Sequence, residues 1–259
     1  VFKRYALIPI NPVRMNPSVL TVYKSPFPKI RLGRDGDGGY VVANIPNIHY
    51  DVLLSGGIDD DISFEDAFMK RYNCMNCYAF DNSVSVPPNH STPIHFTQKT
   101  ISGHIDESTT NLHDIIDENR SIFVKMDIEG AEYPWIRSLR DDHLNKFEQI
   151  VMEFHAPFYY GGARGMEIFT KLNKTHRLIH FHPNNISENI ICNGIPIPNI
   201  FEGTYLHKKY FQKVELNTEL IPGPLDMKNT IRPDIEIAYP PFVHKWSVPV
   251  FKLPLGVFK

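Results

Sequence analysis

Cysteine is scarce. Three residues (Cys74, Cys77 and Cys192) cannot build a disulfide framework, and the odd count suits a reducing compartment. The pair in CMNC has no second pair and no histidines at ligand spacing, with only Cys192 left over, so it reads as small buried residues leading into a strand rather than a zinc or redox half-site. No run approaches the ~18 apolar residues of a membrane span, and no charged-then-apolar leader pattern is present. Charge imbalance is missing too: a formal net charge of -2 and a pI near 6.7 give no bulk electrostatic case for nucleic acid or an anionic membrane. Nor does a basic stripe with interleaved aromatics appear, which argues against RNA or DNA as a partner. There is no internal repeat and no low-complexity tract. The expectation is a soluble globular protein of the cytoplasm, and Val1 in the place of a methionine fits a domain taken from a longer chain.

What is present is enough for one sizeable core: 259 residues, 42% hydrophobic and 22% charged. Residues 1–30 are punctuated by proline and read as an arm, residues 31–210 as the body, and 211–259 as an extension packed on the same domain. The extension has seven prolines between 222 and 259, so it cannot form a regular helix. Within the body, IRLGRDGDGGYVVANI signals a hairpin or tight loop before a strand. Apolar runs of strand length follow at 51–55, 76–81, 94–98, 122–127, 149–155, 177–182 and 200–207. Helical stretches lie between several of them: ISFEDAFMKRY, TTNLHDIIDENR, AEYPWIRSLRDDHLNKF and GMEIFTKLNKTH. This alternation predicts an α/β fold with a mostly parallel sheet and helices on both faces. The last two runs have no helix between them and are expected to pair antiparallel at one edge.

The first strand-turn-helix unit, LLSGGIDDDISFED, is where a nucleotide would be expected. A phosphate on the helix N-terminus would meet Asp59, Asp60 and Asp61 and be repelled. Any one of these aspartates can simply cap the helix, but three beside Gly56 and Gly57 mark a place where backbone approaches a ligand. S-adenosylmethionine, an adenosine without phosphate that carries a sulfonium and an ammonium, fits an acidic mouth. Asp81 ends the next strand, 24 residues after Gly57, where an acid can take both ribose hydroxyls.

The stretches RDGDGGYVV, SGGIDDDISFED, AFDNSV and VKMDIEGAEYPWI, continuing through IVMEFH and IHFHPNN to FEGTYL, resemble the FkbM-type (methyltransferase domain 21-like) proteins over roughly residues 30 to 210. The resemblance implies a Rossmann-like class I methyltransferase fold with a seven-stranded sheet and an antiparallel edge hairpin. It further implies that Gly56, Gly57 and Asp59 line the methionine moiety and that Asp81 holds the ribose. Glu65 would face the cofactor or its support, and Ile101 and Ser102 would lie against adenine.

Transfer of a methyl group to an alcohol needs a base or a metal to manage the hydroxyl proton. Asp127, His155 and His182 end neighbouring strands and are the candidates, with Asp127 also close to the cofactor. Asp127, Glu129, Glu153 and His155 could instead hold a divalent cation such as magnesium or manganese. Against that, Glu129 can fix a turn, and Glu153 can brace His155 from the same strand face. Asn184, Asn185, Glu202 and Tyr205 would reach the acceptor, with Tyr159 and Tyr160 stacking on a sugar ring, so the expected acceptor is a carbohydrate or other hydroxyl-bearing molecule. The leading expectation is therefore an S-adenosylmethionine-dependent O-methyltransferase. The alternatives are an NAD-dependent oxidoreductase on the same architecture and a non-catalytic glycan-binding module.

Overall fold

The structure, a computed structural model, describes residues 16–88, 93–157 and 167–245. Strands β1 (Lys29–Leu32) and β2 (Tyr40–Ala43) form an antiparallel hairpin around the glycine-rich cluster. Next come β3 (Val52–Gly56), α1 (Ser63–Tyr72), β4 (Cys77–Phe80) and β5 (Ile94–Thr97). The short pair β6 (Thr100–Ile101) and β7 (Thr109–Thr110) precedes α2 (His113–Glu118) and β8 (Ile122–Met126). The chain continues through α3 (Glu132–Ser138), α4 (Asp141–Lys146), β9 (Phe147–His155), α5 (Glu167–Thr175) and β10 (His176–Pro183). A hairpin of β11 (Asn189–Cys192) and β12 (Ile195–Pro198) then leads into β13 (Ile200–His207).

Seven of these strands form one sheet in the order β10-β13-β9-β8-β3-β4-β5. Neighbours are parallel from β9 to β5, while β13 runs antiparallel to both β9 and β10. The expected α/β fold with an antiparallel hairpin at one edge is what the chain adopts. β13 inserts between β9 and β10, so the edge strand is the earlier of the two.

Period-2 alternation sends the two sides of each strand into different cores. Val52, Leu54, Ile122, Val124, Ile150 and Met152 face the cluster built with α2 to α5. Leu53, Phe123 and Val151 face the cluster built with α1 and the β1–β2 hairpin. On that second side Phe123 lies 4.4 Å from Phe68 and 5.6 Å from Tyr50, ring centre to ring centre. The hairpin is fixed across the sheet by side-chain bonds as well as by packing. Gln149 on β9 accepts from the Ala43 amide (2.6 Å) and donates to its carbonyl (3.1 Å), and the Thr204 hydroxyl donates to the Val41 carbonyl (2.6 Å).

The stretch AEYPWIRSLRDDHLNKF is two helices rather than one, broken at Leu139 and Arg140, whose backbones are extended. Pro134 sits in the first turn of α3, where its missing N–H costs nothing. Lys171 of α5 donates to the Arg137 and Leu139 carbonyls, closing the C-terminal end of α3.

Residues 211–245 contain isolated bridges but no helix or strand, as their proline content predicts. Ile221, Ile237, Phe242 and Val243 are nonetheless buried against the helix-side core, and Phe242 lies 4.5 Å from Phe181. Among the described residues no helix is long and apolar enough to cross a membrane. Removing the Phe123 ring at the centre of the aromatic cluster should cost about 3–5 kcal/mol. Urea denaturation of Phe123→Ala tests this, and a midpoint equal to wild type would show that the cluster does not carry the hairpin-side core.

Candidate active site

In a sheet of this kind the chain leaves β3 toward β4 on one side and returns to β8 on the other, so a crevice opens at the carboxyl ends of β3 and β8. A cavity of 420 Å³ lies there. Its floor is set by backbone contact: Gly57 has a φ of +73, and a β-carbon on it would lie 1.6 Å from the Asp127 carbonyl oxygen. Gly57, Asp59, Asp60, Asp61, Asp81 and Ile101 line one part of the cavity, and Asp37, Tyr40, Asp127 and Glu129 another.

Asp81 organises the first part. One carboxylate oxygen accepts from the Ile58 (3.0 Å) and Asp59 (2.9 Å) amides, and the other accepts from the Ser83 amide (2.7 Å) and hydroxyl (2.6 Å). Burial works against its charge, but the bonds from Ser83, Asp59 and Ile58 prevail and hold the carboxyl below its usual value. Asp61 plays the capping part: it accepts from the Ser63 amide and hydroxyl at 3.0 Å each and pairs with Arg34 at 3.2 Å. Asp59 and Asp60 remain exposed on the cavity wall.

Beneath the loop lies a buried polar unit. The Lys125 ammonium donates to the Gly57 carbonyl, sits 3.7 Å from Glu65 and lies 5.7 Å from the centre of the Tyr40 ring. Ser55 donates to the same Glu65 oxygen. Glu65 therefore supports the loop and does not line the cavity. Gly56 also lies below it, where a β-carbon would strike Ile101 and Met126 side chains at 2.6 and 2.7 Å.

At the β8 end, Tyr40 donates to one Asp127 oxygen at 2.9 Å. Burial, followed by the Asp127 charge, pushes the Tyr40 phenol well up, so it keeps its proton. The other Asp127 oxygen is 3.7 Å from His155 Nε2, which is also 3.6 Å from Glu129; His155 Nδ1 is 3.0 Å from Glu132. Burial opposes charge on this ring, but the hydrogen bond and charge of Glu132, with Asp127 and Glu129, raise it to about 9. Burial raises the Glu132 carboxyl as well, against the opposing hydrogen bond and charge of His155. Glu153, fully enclosed, is raised by burial and then by Asp127 and Glu202, and Asn184 donates to it at 2.7 Å. Oxygen and nitrogen atoms of Asp127, Glu153 and His155 come within 4.8 Å of one another, which suits a divalent cation in competition with the His155 proton.

Several expected residues lie elsewhere. Tyr205 is on the opposite face of β13 from Glu202, because the two are three positions apart, and it is buried in the helix-side core. Ser102 is not part of the cavity lining, and its hydroxyl lies 3.4 Å from His104 Nδ1. His182 is buried behind the cavity wall, 3.4 Å from Glu202, and burial's opposition to its charge is outweighed by that carboxylate, so its pKa is raised. Asn185 holds the C-terminal segment through Thr230 and Arg232. Tyr159 and Tyr160 lie outside the described residues. Sequence reasoning missed Asp37, Tyr40, Lys125 and Glu132. A lysine inside the apolar run IFVKM, which must find a partner once buried, was the available signal for Lys125.

A parallel sheet in this strand order, with one reversed strand beside the edge and a cavity at the point where strand order reverses, defines a Rossmann-like methyltransferase fold. The family model described as the methyltransferase FkbM domain matches residues 29–188, more than half of the chain, and the chain belongs to the FkbM methyltransferase family. No curated protein matched it.

A folded-state pKa near 9 against an unfolded value of about 6.5 means that His155 contributes stability in full below pH ~6.5, and that this contribution is lost as pH rises through about 9. His155→Gln should flatten that alkaline loss in denaturation curves measured at several pH values. A ring titration midpoint below 7 by NMR would refute the assignment.

Proposed function

We propose that the protein transfers the methyl group of S-adenosylmethionine to a hydroxyl of a sugar or other polyol. One observation carries this: the Ile58 and Asp59 amides, the donors that would cradle a pyrophosphate at this turn, are already taken by the Asp81 carboxylate. A mouth with Asp59, Asp60 and Asp81 on its wall suits a cationic, phosphate-free nucleoside and opposes a dinucleotide.

In this reading the loop from Gly57 to Asp59 borders the methionine end, Asp81 stands at the ribose, and Ile101 provides apolar surface for the base. S-adenosylmethionine, when bound, would supply an electrophilic methyl group whose bond to sulfur breaks as its bond to the acceptor oxygen forms, with S-adenosylhomocysteine as the leaving group. The acceptor hydroxyl meets Asp127, whose oxygen facing His155 takes the hydroxyl proton as the C–O bond forms. Tyr40 fixes the carboxylate from the other side at 2.9 Å. His155, already protonated, orients Asp127 and does not serve as the base. His182 is too deeply buried to touch the acceptor, and Glu153 and Asn184 form the wall behind. Asp127 and Glu129 on the cavity wall give this side the hydrogen-bonding character that a polyol needs.

A divalent cation at Asp127, Glu153 and His155 is a second reading, favoured by their 4.8 Å grouping. The His155 proton fills the same place without a metal, so full turnover is expected after exhaustive chelation. Loss of activity that magnesium or manganese restores would transfer the role to the cation.

S-adenosylhomocysteine should raise the melting temperature while NADH leaves it unchanged; the reverse pattern would overturn the methyl-transfer reading in favour of an oxidoreductase. Asp81→Ala should weaken S-adenosylhomocysteine at least about tenfold in calorimetry, equivalent to ~1.4 kcal/mol. Unchanged affinity would remove Asp81 from the ribose.

A further inference from the structure

The family match ends at residue 188, yet a segment far beyond it touches Asp37, a residue that lines the cavity. Residues 222–236 form a loop whose base is closed by paired backbone bonds between Ile221 and Ile237, at 3.2 and 2.8 Å. The loop is tied down along its length. Asp226 accepts from the Gly223 amide at 2.6 Å and pairs with His180 at 2.8 Å. Asn185 accepts from the Thr230 amide and hydroxyl at 2.9 Å each, and Arg232 donates to the Ile186 carbonyl at 2.7 Å. Arg31 of β1 donates to the Leu225 carbonyl at 3.5 Å, joining the loop to the β1–β2 hairpin.

At the tip, one amide group bridges two acids that come from different parts of the fold. Asn229 Nδ2 donates to Glu202 Oε1 on β13 at 2.9 Å and to Asp37 Oδ1 on the β1–β2 turn at 3.4 Å. Asp37 lines the cavity that Asp127 lines. Glu202 is 3% exposed, and its second oxygen has no hydrogen-bond partner, as is also true of Asn229 Oδ1. The junction thus offers acceptors in excess of donors. Missing donors of that kind are what a ligand carrying several hydroxyls supplies.

We propose that Asp37, held by Asn229 of the C-terminal loop, is the carboxylate that grips an acceptor hydroxyl beside the one being methylated. This rests on the methyl-transfer reading given above and adds an acceptor class: a molecule with neighbouring hydroxyls, one meeting Asp127 and the next Asp37. Asn229 is a positioning residue that acts through Asp37. Burial raises the Asp37 carboxyl, with Asp127 and Glu202 adding to the effect, while the Asn229 bond opposes it. Loss of that bond releases Asp37 Oδ1, so the carboxyl is no longer held in one orientation toward the acceptor.

The test uses the full chain with methyl glycosides of glucose, galactose and mannose as acceptors, methyl gain read by mass spectrometry, and S-adenosylhomocysteine as the probe of the other half of the site. Asp37→Asn should raise the acceptor KM about tenfold or more and Asn229→Ala by about three- to tenfold, with kcat at saturation changed by less than about threefold. Both variants should bind S-adenosylhomocysteine with an affinity within about twofold of wild type, a split that mere structural damage would not give. Acceptor KM unchanged in both variants, with transfer intact, overturns the Asp37 assignment alone. Wild-type protein that binds no S-adenosylhomocysteine fells the methyl-transfer reading instead, and wild type that binds it but methylates no glycoside overturns the Asp37 assignment together with the polyol reading.

Discussion

Two backbones meet in the site: a β-carbon on Gly57 would lie 1.6 Å from the Asp127 carbonyl oxygen, which leaves no room for even a methyl group between them. That contact brings the ends of β3 and β8 together and so decides where every other group must stand. Lys125, one strand position before Met126, takes hold of the Gly57 carbonyl from below, and Glu65 and Ser55 secure the lysine. Asp81 holds the next two amides from the side. A loop that would otherwise be free to rearrange is fixed by three carbonyl or amide contacts to charged side chains, and the two made by the Gly57 carbonyl and the Ile58 amide are partly shielded from water, where such bonds are strongest.

The sheet divides labour between its faces. On the helix side the strands present apolar residues and the packing is that of an ordinary core. On the hairpin side the same strands carry Lys125, Glu153 and His182 near their carboxyl ends and Glu202 near the amino end of the reversed β13, with His182, Glu202 and Glu153 as cross-strand partners in register. Acids gathered in this way repel one another, and the structure answers the repulsion by different means. His155 carries a positive charge, Glu153 is pushed toward its neutral form, and the Asn184 and Asn229 amides donate hydrogen bonds.

Most of the sheet was legible in the sequence because its strands are short apolar runs set between helical stretches, and burial on both sides leaves little else for such runs to be. The β10–β13 pairing was readable for the opposite reason, the missing helix between them. Site residues divided along physical lines. Asp81, Asp59 and Asp127 stand at strand or turn ends, where sequence position alone implies exposure to the crevice. Tyr205 and Glu202 are both polar and close in sequence, yet strand alternation sends one into the core and the other toward the site. Asp37 and Asn229 are brought together across 192 residues of chain, and no local pattern announces such a meeting. The split between α3 and α4 was equally hidden, since it depends on Lys171 arriving from another helix.

The three cysteines are all buried, Cys74 and Cys77 in the core shared by α1 and the hairpin, Cys192 in the core on the other side. Burial raises the thiols of Cys74 and Cys77, so neither is readily available to an alkylating reagent while the fold is closed. Each face of the sheet therefore carries its own built-in reporter: the rate at which a thiol reagent modifies one side or the other measures how often that half of the molecule opens, without any label having to be introduced.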